Sequence, residues 1–137
     1  MNTLFNEKNR KTTLVLLLTG VTLISLALIM GIADNLPGIM LLYSGCISLI
    51  TLFTRQWRTI KNFFLLFVFS IIGLIGFSIL HNVLYALKIL AGDINLLSDN
   101  FEILSVTTFL IAVLLCPPGI LVGGAGSLIY YFKKRTE

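Results

Sequence analysis

The sequence predicts an all-α polytopic membrane protein with four transmembrane helices and both termini in the cytoplasm. Three observations carry that expectation. Hydrophobic residues make up 57% of the 137 and charged residues only 12%, about half the ~25% charged content of a soluble globular protein. The charges are clustered, which leaves four apolar stretches near the ~20 residues that take a helix across ~30 Å of hydrocarbon. The bases also alternate with those stretches. Lys8, Arg10 and Lys11 precede the first, Arg55, Arg58 and Lys61 separate the second from the third, and Lys133, Lys134 and Arg135 follow the fourth. Nine of the ten bases therefore fall on one side, and retention of Lys and Arg in short loops makes that side the cytoplasm. The other side holds Asp34, Asp93, Asp99 and Glu102, with Lys88 as its base.

The first span runs over about 12–33, where Thr19, Gly20, Thr22 and Ser25 are small or can bond within a helix. Asp34 and Asn35 offer cap oxygens, and Pro37 suits the first turn of a new helix, so a tight helical hairpin is expected. The second span covers about 36–53 and ends at the basic, aromatic segment containing Arg55, Trp57, Arg58 and Lys61. The third covers about 63–87. The polar stretch 88–102, with Gly92, Asp93, Asn95, Ser98, Asp99 and Asn100, reads as a non-cytoplasmic loop. The fourth span, about 103–132, carries Pro117 and Pro118 near its middle, which predicts one kinked span in preference to two half-helices. Trp57, Tyr130 and Tyr131 at one side and Tyr85 at the other fit interfacial aromatic belts. All 137 residues read as a single four-helix domain with no soluble unit.

Two processing signals are considered and set aside. Lys8, Arg10 and Lys11 before an apolar run ending in Gly31-Ile32-Ala33 resemble a signal peptide, but the run exceeds the ~7–15 residues of a signal core. Tyr43-Ser44-Gly45-Cys46 resembles a lipoprotein box only faintly and lies inside a span. The net charge of +4 comes from the loop bases, which orient the chain and meet anionic headgroups, so nucleic acid is not an expected partner.

Chemistry is sparse. Cys46 and Cys116 lie near the middles of their spans, where hydrocarbon disfavours a reactive thiolate, and read as small apolar packers. A thiol redox enzyme built on that pair is the weakest functional reading. His81, Asn82 and Tyr85 form a polar cluster, with His81 and Tyr85 at i,i+4 and Ser78 one turn earlier. His81 with Asp34, Asp99 or Glu102 would suit a cation or a proton. A lone histidine makes a poor metal site, so the cluster reads first as a hydrogen-bonded pin between helices. No metal, cofactor or catalytic set is expected.

Cys116-Pro117-Pro118-Gly119 is the strongest backbone signal. The two prolines withdraw amide donors and free the carbonyls of Val113 and Leu114, which water, a neighbouring serine or a local helix adjustment must satisfy. Transporters build midplane sites at such breaks but generally add an ionisable group, and no Asp, Glu, Lys or Arg falls inside a span here. Gly119, Gly123 and Ser127 then repeat every four residues as a flat packing ridge. Gly73 and Gly76, and Gly38 and Gly45, are its expected partners. Packing within the monomer and a homo-oligomer interface both remain open for it.

Leu36-Pro37-Gly38 with Leu41, Leu42 and Gly45, then Leu80-His81-Asn82-x-x-Tyr85-Ala86-Leu87, then Cys116-Pro117-Pro118-Gly119-x-Leu121-Val122-Gly123, form a pattern over roughly residues 36–127. It resembles small uncharacterised four-helix membrane proteins of archaea and bacteria. The resemblance implies a prokaryotic inner, or plasma, membrane and brings no known activity. The functional expectation is a non-enzymatic structural or accessory protein that packs in the bilayer with itself or a larger membrane partner. The alternative is a small transporter or channel-like protein using the broken fourth helix, the Ser44/Ser48/Thr51 stripe and the His81 cluster.

Overall fold

The computed structural model describes residues 7–32, 35–92 and 95–136, and the regular structure within them is entirely helical. The elements are α1 (Glu7–Met30), α2 (Leu36–Thr54), α3 (Ile60–Ala91), α4 (Asn95–Leu110), a π-helical turn (Ile111–Leu115) and α5 (Cys116–Thr136). Four helices are long and apolar enough to cross a membrane, the fourth being α4, the π turn and α5 in unbroken succession.

Local chemistry sets the ends of the first hairpin. Gly31 leaves α1 in a left-handed conformation (φ 81°), which glycine adopts without a Cβ penalty. Asn35 then joins the two helices: its amide donates to the carbonyls of Met30 (2.9 Å) and Gly31 (3.1 Å), and its Oδ1 accepts from the Gly38 amide at 3.5 Å. Pro37 occupies the first turn of α2, as expected. The end of the first span at Ala33 and the cap role of Asp34 lie outside the described residues.

The second hairpin differs from expectation. The stretch 88–102 is not a loop: α3 continues through Ala91, α4 begins at Asn95, and Gly92 (φ 54°) marks the turn between them. Three of the polar residues there find partners within the helical hairpin. Lys88 Nζ meets Glu102 Oε2 at 2.9 Å across the hairpin, and Asn100 donates to the Leu96 carbonyl at 2.8 Å. Asp93 lies outside the described residues.

α1 packs chiefly on α2, and α3 packs on α4 and α5, while α2 and α5 join the two hairpins. The result is a row of helices in the order α1, α2, α5, α3. Bulky side chains do not dominate the contacts; small ones do, as membrane helices require when lipid supplies no expulsion of water. A methyl added at Gly45 would lie 2.6 Å from Ile24 Cγ1 and 3.0 Å from the Gly20 carbonyl oxygen. One added at Gly123 would lie 2.6 Å from the Phe67 backbone nitrogen and 2.9 Å from the Phe63 carbonyl oxygen. The buried apolar set is accordingly short, with Ala27, Leu42, Cys46, Phe63, Ala112 and Cys116 among its members.

The two hairpins differ in length. α2 has 19 residues and α3 has 32, a difference of about 20 Å at 1.5 Å per residue. A short connection, 55–59, joins them at the basic end. There Phe63 stacks on Tyr130 and meets Trp57 edge-on, both with centroids 5.4 Å apart, and Tyr130 donates to the Trp57 carbonyl at 3.0 Å. The excess length therefore falls at the other end, where α4 packs on α3.

Candidate functional site

The clearest polar constellation lies between α3 and α4. His81 Nδ1 is 2.9 Å from both the carbonyl oxygen and the hydroxyl of Ser105, and Ser105 Oγ is 3.4 Å from the His81 carbonyl oxygen. With the proton on Nδ1, the imidazole donates to the Ser105 carbonyl and the serine hydroxyl donates back to the His81 carbonyl. With the proton on Nε2, the hydroxyl donates to Nδ1 instead. Either tautomer closes a bond between the helices. The Ser105 carbonyl also accepts from Thr108 Oγ1 at 2.9 Å, and the Phe109 ring lies 5.1 Å from the imidazole.

Among the described residues expected to act with His81, Tyr85 accompanies it, in a loose stack at 6.4 Å. Asn82 is exposed and donates to the Ser78 carbonyl of its own helix at 2.8 Å. Glu102 is paired with Lys88, and Asp34 lies outside the described residues. No group of three His, Cys, Asp or Glu side chains suited to a metal occurs among the described residues. A serine hydroxyl on a histidine nitrogen has the make-up of an activated nucleophile, but Ser105 is only 2% exposed and helix packing surrounds it. The pair is built as a clasp. Sequence reading missed Ser105. The signal that could have found it is mirror symmetry about residue 93, which an assumed 88–102 loop conceals.

At the prolines, the chain answers the missing donors by widening one turn. The Cys116 amide bonds to the Ile111 carbonyl, five residues back, at the end of the Ile111–Leu115 π turn. That bond serves the Ile111 carbonyl and not those of Val113 and Leu114, the two that the prolines were expected to free. Pro118 is fully buried and Pro117 half-buried, and Cys116 Sγ would lie 3.3 Å from a methyl at Gly73. Both cysteines are buried and free.

The ridge is used inside the monomer on one side. Gly119 abuts Ser70, Gly123 abuts the Phe63–Phe67 backbone and Gly126 abuts the Phe63 ring, while Ser127 bonds to the Gly123 carbonyl at 2.7 Å. The expected glycine partners are not the ones it meets. Gly38 abuts the Gly31 carbonyl, Gly45 faces α1, Gly73 faces Cys116, and a methyl at Gly76 would meet nothing within 4 Å. A ridge without side chains fits best against the backbone below aromatic rings, which fill the flanks.

The hydroxyl stripe of α2 does not line one path. Ser44 bonds to the Met40 carbonyl of its own helix (2.8 Å), and Ser48 reaches the Leu16 carbonyl of α1 (2.9 Å). Thr51 alone faces a groove of about 530 Å³ between α2 and α5, which opens near Arg55, Trp57 and Tyr130 at the basic end. Comparison with family models, curated proteins and solved structures gives no match to this chain.

Proposed function

We propose that the chain is a small, non-enzymatic accessory protein of a prokaryotic plasma membrane, crossing it four times with both termini cytoplasmic and acting by packing on a second copy or a larger membrane protein. Collection of the bases at one end supports the orientation. The accessory role rests on one observation above the others. The longer hairpin carries Leu90 (81% exposed) and Leu96 (78% exposed), flanked by exposed Ile89 and Leu97, on the part that outruns α2. Large apolar side chains at a helix tip near the headgroups lack the full cover of hydrocarbon that mid-span residues enjoy, and a partner helix supplies it. Among the described residues every buried side-chain nitrogen and oxygen has a partner, which favours packing over solute handling.

Crosslinking in native membranes, followed by native mass measurement in a mild detergent, tests the reading. The wild type should carry a second copy or another membrane protein, and Leu90→Glu with Leu96→Glu should release it without loss of helix content. A partner-free monomer under both conditions contradicts it. The π turn beside Pro117 and Pro118 supports a second reading, transport, in which the fourth helix is kinked at the prolines and opens there. It requires solute flux in reconstituted vesicles that falls in His81→Ala and Pro118→Ala.

A further inference from the structure

The groove at the basic end is not consumed by helix packing. Its walls are apolar: Ile47 of α2 on one side, Leu121, Ala125 and Ile129 of α5 on the other. From Leu121 to Tyr130 it runs about 14 Å along α5 at 1.5 Å per residue, from mid-helix to the end where the bases gather. Its volume of about 530 Å³ falls within the ~300–1,000 Å³ of small-molecule sites. Its polar lining is confined to Thr51 and Thr54 on the last turn of α2 and to the residues of its mouth. Arg55 stands there beside Trp57 and Tyr130, with Arg58 and Lys61 exposed in the adjoining segment and Lys133, Lys134 and Arg135 exposed at the end of α5. Asp99 and Glu102 belong to the opposite end, and Glu7 begins α1 at this one.

An apolar trough closed by a guanidinium and an indole matches an amphiphile with one negative head. Neither a free anion nor a neutral chain uses both halves. Arg55 is itself held in place, since Nη1 donates to Thr13 Oγ1 of α1 at 3.4 Å, and a fixed planar fork suits a phosphate better than a mobile ammonium does. The trough is open along one side, so a lipid enters from the bilayer without any helix moving. We propose that this groove holds one acyl chain of an anionic phospholipid, with its phosphodiester at Arg55 and Trp57. The lipid fills the seam where the two hairpins meet least closely.

Native mass spectrometry of the full chain, titrated with phosphatidylglycerol or with phosphatidylcholine of the same acyl chains, tests this. Retention of phosphatidylglycerol should exceed that of phosphatidylcholine at least several-fold. Ala125→Phe, which places a ring in the trough from an exposed position, should abolish retention of both lipids while helix content and melting are unchanged. Arg55→Gln should leave retention but erase the preference. Glycerol phosphate, a headgroup without chains, should not compete. Equal retention of the two lipids by the wild type, full competition by glycerol phosphate, or unchanged retention in Ala125→Phe would each overturn the proposal. So would a dimer that Ala125→Phe dissociates with no change in bound lipid, since a second copy would then be the occupant.

Discussion

Gly123 and Gly76 are both mid-helix glycines in apolar sequence, yet their neighbours give them opposite roles. A methyl at Gly123 would collide with the Phe67 backbone at 2.6 Å, and backbone of a packed helix does not yield as a side-chain tip would. Gly123→Ala should therefore destabilise by about 1–3 kcal/mol, as overpacking typically does. Gly76→Ala, with open space around it, should instead stabilise by up to about 1 kcal/mol through helix propensity. Unfolding titrations in detergent read both signs. The repeat of small residues at 119, 123 and 127 was visible in the sequence, because spacing alone reveals a flat face. What that face meets was not visible. Which helix lies opposite depends on the row order of the bundle, and Phe63, Phe67 and Ser70 carry no mark that distinguishes them from other residues of an apolar span.

At the level of elements, hairpin turns decide which polar groups meet. Asn35 bonds both the end of α1 and the start of α2, so Asn35→Ala should cost about 0.5–2 kcal/mol and loosen the first hairpin. Hydrogen exchange that quickens at the amides near Gly38, with Gly123 unaffected, would check this. The Asn35 and Pro37 signals made this turn readable in advance, since capping chemistry is local. The second turn was not readable in the same way. Ser98, Asp99 and Asn100 have loop-like composition, yet the surrounding Leu96, Leu97 and Ile103 continue a helix and Lys88 with Glu102 ties the hairpin together. Misplacing that turn hid Ser105, which lies as far beyond it as His81 lies before it. The prolines were legible as a disturbance of the fourth span, but the π turn that precedes them, with Ala112 and Cys116 buried, was one of several ways to accommodate them and composition does not choose among these.

Across the whole molecule, the row of four helices explains why a chain with 57% hydrophobic residues buries so few of them. Each helix has one or two neighbours, and its remaining faces suit hydrocarbon. That the chain has four helices long and apolar enough to cross a membrane was plain from hydropathy, because the ~30 Å apolar layer fixes segment length regardless of packing detail. The order of helices within the row was not plain, since apolar faces look alike all round when lipid and protein interior have the same polarity. Orientation needs no packing at all. It rests on nine bases at one end, and it demands that both termini share a compartment with Arg55, Arg58 and Lys61. Paired reporters settle that most directly: one fluorescent only in the cytoplasm and one enzymatically active only outside it, fused in turn to the N-terminus, to the C-terminus and after Gly92. With both termini cytoplasmic, fluorescence appears at each terminus and external activity after Gly92. External activity at either terminus would contradict this topology.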